Sequence, residues 1–264
     1  MIKIGLVSDL HTEFWTPSDH RAIGSRIQAS LADADLILLA GDIGVGIASY
    51  NVAENLFPDR PVYMVAGNHE FYGDDYETVL ATLRAAKGTV HFLHKTVALL
   101  TIDHTPIRII GTTLWTDFAL HHTVPLAMLD ARMLNDSQMI RFQDRLLKPE
   151  DTLKWHEEQL SWMLTVLDEH FDGITILMTH HAPVSFAVAP HHADSNLSPC
   201  FASRVENRLL RDDLPLVVWG HTHHCVDRTI EQTRFISNQT GYPGWVSGGA
   251  ITETGQFGQI IELA

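Results

Sequence analysis

The sequence predicts a layered α/β fold on three observations. Short apolar runs end in Gly, Asp, Asn or His, amphipathic stretches lie between them, and strand-like segments follow one another near the C-terminus. The runs at 2–7, 36–40, 62–66, 107–110, 174–178 and 216–219 are each four to six residues long and together rich in Val, Ile and Leu. Runs of that length and composition read as strands buried on both faces. Their ends are polar: Ser8-Asp9-Leu10-His11, Gly41-Asp42, Gly67-Asn68-His69-Glu70, Gly111-Thr112-Thr113, Thr179-His180-His181 and Gly220-His221-Thr222-His223. Between them, Leu160, Met163, Leu164, Leu167 and Phe171 keep the three-and-four spacing of one helix face. Residues 74–87 and 201–210 predict shorter helices. Strands alternating with helices build layers of sheet and helix. The segments 233–237, 245–246 and 259–263 lack helices between them and predict a second, partly antiparallel sheet.

Residues 114–150 or so fit this scheme worst. They are polar, carry the pair His121 and His122, and predict one helix at about 137–147. An insertion there sits beside the strand ends, where open α/β sheets bind ligands. It reads as a cap within a single domain covering 1–264.

Bulk properties restrict the partners. A formal charge of −14 repels polyanions, so neither long nucleic acid nor an anionic membrane is an expected partner. Cys200 and Cys225 form neither a disulfide framework nor a CxxC knuckle. The stretch MIKIGLVSDLHTEF is too short and polar for a signal peptide, and no apolar segment is long enough to span a bilayer, so the expected location is cytoplasmic.

Taken singly, each polar cluster reads as a turn or a satisfied histidine. Together they follow separate buried strands, so Asp9, His11, Asp42, Asn68, His180, His221 and His223 converge on one sheet edge. Carboxylates and imidazoles packed so densely need cations to satisfy them. Mixed oxygen and nitrogen donors without thiolate suit Mn, Fe, Co, Ni or Zn. Seven donors are too many for one ion with an open position and suit a pair about 3.5–4 Å apart, the geometry of phosphoryl chemistry.

The ordered set DxH, GD, GNHE, a histidine pair before proline, and GHTH resembles the calcineurin-like metallophosphoesterase superfamily. SDLHTEF, GNHEFYG, THHAP, GHTHHCVD and SNQTGYPG are similar to its small bacterial branch. The resemblance covers residues 9 to 223 and implies a four-layer α/β/β/α sandwich of two mixed sheets with a dinuclear site at one edge. It implies that Asp9, His11 and His223 hold one metal and Asn68, His180 and His221 the other, with Asp42 bridging. His180 rather than His181 takes the ligand position because it ends its strand. His69 matches the catalytic histidine beside the leaving-group oxygen, and a hydroxide generated on the metals attacks phosphorus in line.

The sequence departs from the protein Ser/Thr phosphatases, which read GDxxDRG. Here Val45 replaces the aspartate that supports the histidine, Gly46 replaces the phosphate-gripping arginine, and Thr12 replaces the glycine of DxHG. A protein phosphatase is therefore not expected. The expected substrate is a small organic phosphodiester, with a nucleotide or sugar monoester as the alternative. A silent scaffold is disfavoured by the complete ligand set, and a nuclease by the absence of a basic run. Asn68, His69, Asn135 and Arg141 are the candidate substrate contacts. Trp115, His121, His122 and Asn135 could hold a second ester group, although Trp115, Phe71 and Tyr72 read more readily as edge packing.

Overall fold

A computed structural model describes residues 1–121, 123–243 and 257–263. The chain runs β1 (Ile2–Val7), α1 (Pro17–Ser30), β2 (Leu36–Leu39), α2 (Ile47–Leu56), β3 (Val62–Val65), α3 (Tyr76–Ala85) and β4 (Val90–Leu93). It then crosses to β5 (Thr96–Ile102) and β6 (Thr105–Thr112). The insertion holds α4 (Val124–Ala131), α5 (Asp136–Met139), β7 (Arg141–Phe142) and β8 (Arg145–Leu146). Then come α6 (Pro149–Leu167), β9 (Ile174–Thr179), β10 (Leu216–Trp219), β11 (Val226–Ile230), β12 (Thr233–Ser237) and β13 (Gln259–Leu263).

Two mixed sheets result. One has the order β13-β1-β2-β3-β4, the other β11-β12-β10-β9-β6-β5. β13, β11 and β5 pair antiparallel with their neighbours, and the other pairings in the two sheets are parallel. Period-two alternation makes the layers. Ile4, Leu6, Leu36 and Leu38 meet Ile107, Ile109, Ile176, Leu216 and Val218 between the sheets. The intervening Val7, Ile37 and Leu39 face Ile27, Tyr50 and Leu83 of the first helical layer. On the far side, Ile110, Leu177, Val217 and Trp219 pack against Met163, Val166 and Leu167 of α6. The architecture is the expected α/β/β/α sandwich, and it brings the carboxyl ends of the parallel strands to one edge.

Helix starts follow local chemistry. Thr16 and Asp19 form a capping box ahead of Pro17, and the Asp75 side chain accepts from Glu77 N and Thr78 N. α6 begins at Pro149, and its Gln159 Oε1 accepts from Thr112 Oγ1 and Leu114 N, which pins the end of β6.

Several local expectations fail for identifiable reasons. The helix expected at 201–210 is a single 3-10 turn at Glu206–Arg208. Ser203 N and Val205 N are committed to the carbonyls of Ala182 and Pro183, which holds that stretch extended. The helix expected at 137–147 stops at Met139, because Gln143 and Asp144 take φ of 51° and 63° and turn β7 back onto β8. α1, α2, β4 and β5 went unforeseen; β5 is an edge strand with no fully buried residue. The strand expected at 245–246 lies outside the described residues. No helix among the described residues is long and apolar enough to cross a membrane.

The crossover between the sheets buries His94 at 6% exposure. Burial, then the charges of Arg84 and Lys95, push its imidazole down to about 3. Below about pH 6.5 the unfolded chain binds a proton there that the folded chain does not, so stability falls as pH falls. The slope is about 1.4 kcal/mol per pH unit. Urea titrations should therefore show wild type losing about 2 kcal/mol more than His94→Leu between pH 7.5 and 5.0. Equal losses would show that His94 does not carry the acid sensitivity.

Candidate active site

The polar edge forms because strand-end backbone turns abruptly there. Asp9, His11, Asp42, His221 and His223 all take positive φ, between 48° and 71°. A Cβ on Gly67 would collide with Asp42 Oδ1 and with the His180 ring at 2.6 Å, and one on Gly41 would strike His180 Nδ1. These glycines therefore do more than turn the chain: they let the site side chains approach the main chain. The carboxylate of Glu70, fully buried, accepts from Asp42 N at 3.0 Å, Ile43 N at 2.8 Å and Gly67 N at 2.6 Å. It ties the loop after β2 to the loop after β3.

Asp9, His11, Asp42, Asn68, His180, His221 and His223 come together as expected. His11 Nε2 lies 3.0 Å from His223 Nε2, and His223 Nε2 lies 3.5 Å from Asp9 Oδ1. His180 Nε2 lies 3.2 Å from Asn68 Oδ1, 3.2 Å from His221 Nδ1 and 3.4 Å from Asp42 Oδ1. Asp42 Oδ2 stands 3.9 Å from both His11 Nε2 and His69 Nε2, so this carboxylate lies between the two groups. Donors bound at about 2.0–2.2 Å to one cation stand roughly 3.0–3.5 Å apart, and the His11–His223, His223–Asp9 and His180 distances fall in that range. Two imidazole nitrogens facing each other can share at most one proton, so the cluster of lone pairs suits cations better than hydrogen bonds. Sets such as Asp9–His11–His223 and Asp9–Asp42–His180 keep their donor atoms within 4.8 Å of one another.

His180 is oriented by its other nitrogen. Nδ1 donates to the Ala40 carbonyl at 2.8 Å, which turns Nε2 toward the cluster. His181 is buried behind His221, ring centroids 3.9 Å apart, and its Nδ1 meets no hydrogen-bond partner among the described residues.

The electrostatics follow from this packing. Burial would raise the Asp42 carboxyl, but the imidazoles of His180, His69 and His11 outweigh it and hold the group well below its usual range. Burial would lower His180, yet Asp42 and Asp9 push it up to about 9. His69 is likewise raised to about 9 against burial, by Asp42 and Glu13. Burial and the neighbouring imidazoles of His181 and His180 hold His221 well below its usual value.

Sequence reasoning missed four residues of this site. Glu13 Oε1 lies 2.7 Å from His69 Nδ1, filling the supporting place that Val45 leaves empty. It comes from the 3-10 turn Thr12–Phe14, directly after the left-handed His11, and was visible inside SDLHTEF. Asp136 Oδ1 accepts from Asn68 Nδ2 at 2.8 Å and from the Tyr72 hydroxyl at 2.7 Å. Glu70 stood in GNHE with no signal of its backbone role. Tyr242 stacks on His11 with centroids 4.3 Å apart, carried there by residues 238–242, which run beside the end of β1.

Two expected substrate contacts are not brought in. Asn135 is exposed and begins α5 without a side-chain cap, and Arg141 is exposed with Nη2 on the Asp144 carbonyl. The start of α5 turns Asp136 inward instead. Trp115 and Phe71 are core residues, at 1% and 0% exposure. His121 is half-buried with Nε2 lacking a partner among the described residues, and His122 lies outside them.

Comparison with known proteins agrees with this geometry. The calcineurin-like phosphoesterase family matches residues 2–225. An uncharacterised protein of Acanthamoeba polyphaga mimivirus is 26% identical over 265 residues, covering 89% of this chain and 90% of that one. The phosphopantetheinyl hydrolase of Mycobacterium tuberculosis superposes with a TM-score of 0.75 at 15% identity, over 99% of this chain and 96% of that one. A dimetal phosphatase from Danio rerio gives a TM-score of 0.54 at 15% identity, over 89% of this chain and 86% of that one. The chain belongs to the calcineurin-like phosphoesterase family and is a metal-dependent phosphoric ester hydrolase.

Proposed function

We propose that the site holds two transition-metal ions, drawn from Mn, Fe, Zn, Ni or Co, and hydrolyses small organic phosphodiesters. Asp9, His11 and His223 would hold one ion and Asn68, His180 and His221 the other, with Asp42 shared. The observation that carries this is the position of Asp42, its two oxygens turned toward two separate sets of donors beside His69. When bound, such a pair supplies Lewis acidity that polarises phosphoryl oxygens and acidifies water. The chain's own residues do the rest. His69 presents Nε2 to the reacting space and protonates the departing oxygen, while Glu13 on Nδ1 fixes the ring. The Asn68 amide is fixed by Asp136 and Tyr72, which keeps Oδ1 turned toward His180. In this reading residues 114–150 serve as a cap within one domain, and Asp136 is the part of it that reaches the site.

The diester preference rests on charge. The groups acting most strongly on Asp9, Asp42 and His69 are one another, His180, His223, His11, Glu13 and Asp136, with no arginine or lysine among them. Gly46 stands where a phosphate-gripping arginine would be. A monoester brings a second negative charge into a site already rimmed by Glu13 and Asp136, and a diester does not. With Mn²⁺ supplied, kcat/KM for bis-p-nitrophenyl phosphate should exceed that for p-nitrophenyl phosphate, and 2′,3′-cyclic AMP should exceed 3′-AMP. A monoester preference in both pairs would overturn the diester assignment.

A further inference from the structure

The motif SNQTGYPG has no part in the mechanism so far, yet it places a hydroxyl beside the catalytic imidazole. Thr240 N donates to Ser8 O at 3.0 Å and Gly241 N to Asp9 O at 2.8 Å, which fastens the segment to the first loop of the site. Gly241 takes φ of 80°, turning the chain so that Tyr242 lies over His11. The Tyr242 hydroxyl then stands 3.4 Å from His69 Nε2. That is long for a hydrogen bond between the two. It is the right spacing for both to donate to one oxygen lying about 2.8 Å from each, as paired donors do around a developing oxyanion.

We propose that Tyr242 is a second leaving-group residue, its phenolic O–H donating a hydrogen bond to the same ester oxygen that His69 protonates. The inference rests on the assignment of His69 to the leaving-group side. In the step, a water oxygen forms the new bond to phosphorus and releases one proton to solvent, from which His69 is later reprotonated, while the old P–O bond breaks and its electron pair passes to the departing oxygen. The proton on that oxygen comes from His69 Nε2, and Tyr242 keeps its own. The π-face of Tyr242 against His11 and its edge toward Phe14, centroids 5.5 Å apart, fix the phenol before substrate arrives. Phe14, 56% exposed, then forms an apolar wall for the alcohol portion of the substrate.

Tyr242→Phe removes the hydroxyl and keeps the ring. Turnover of the Mn²⁺-loaded enzyme should be compared on aryl methyl phosphodiesters running from p-nitrophenol to phenol leaving groups, and on 2′,3′-cyclic AMP. The expected loss in kcat is about 10- to 100-fold for the poorest leaving groups, the worth of one hydrogen bond to a charged oxygen, and within about twofold for p-nitrophenol. Metal content should stay at the wild-type value, whereas Tyr242→Leu, which also deletes the ring over His11, should lower it. No change in Tyr242→Phe, an equal loss for every leaving group, or loss of metal or fold in that variant would each overturn the proposal. Wild type without phosphoesterase turnover would instead remove the phosphodiesterase reading, and this one with it.

Discussion

Asp42→Asn is expected to cost at least about 10³ in kcat/KM, more than any single change at a residue serving one ion only. The reason is charge and position together. Among the described residues, Asp42 is the carboxylate whose two oxygens face different donor sets, His180 on one side and His11 with His69 on the other. An amide offers a single neutral oxygen, so the variant loses one negative charge and the second oxygen that would be shared between the two ions. Metal assistance is worth several kcal/mol of transition-state stabilisation, and about 4 kcal/mol corresponds to three decades in rate. Elemental analysis after dialysis and Mn²⁺ loading should find close to two ions per wild-type chain and fewer in Asp42→Asn. Asn68→Ala should fall between them. Near-wild-type turnover and metal content in Asp42→Asn would remove the shared-ligand assignment.

His69→Ala is expected to keep both ions and to lose roughly 10²–10⁴ in kcat, the range for removing a positioned general acid. Its imidazole touches the cluster without being one of the seven assigned donors: Nδ1 is held by Glu13, and Nε2 stands 3.9 Å from Asp42. The loss should shrink when the leaving group is a stable anion such as p-nitrophenolate, which needs little protonation. Stopped-time assays with bis-p-nitrophenyl phosphate and 2′,3′-cyclic AMP, beside metal analysis, measure both properties. If metal were lost, His69 would be a ligand; if the penalty were the same for both substrates, the general-acid role would be untenable.

The strand ends were legible because burial on both faces writes continuous apolar runs, and the polar residues that close them stand out against that background. Asp9, Asp42, Asn68 and His180 could be found in this way, each one to three residues beyond its strand. The layer order came from the family resemblance, since local periodicity does not say which sheet a strand joins. α1 was hidden because only Ile23, Gly24 and Ile27 of its residues are buried, too few to write a helical stripe. Glu13 and Asp136 were hidden for another reason. Their importance lies in contacts made 56 and 68 positions away, with His69 and Asn68, and no local pattern encodes such a meeting. Arg141 drew notice as a cation among acids, but a tight turn spends it on the Asp144 carbonyl.

The left-handed backbone at Asp9, His11, Asp42, His221 and His223 has a consequence beyond catalysis. Each non-glycine residue held there costs on the order of 1 kcal/mol, so the five together approach the whole stability of a small domain. Glycine would relieve the strain and abolish the donor. A cation that binds only the folded chain opposes the same strain from outside, by an amount that grows with its free concentration. A chelator is therefore expected to lower the temperature at which this protein unfolds, and added Mn²⁺ to raise it. Its resistance to proteases is expected to rise with the free metal concentration in the same way.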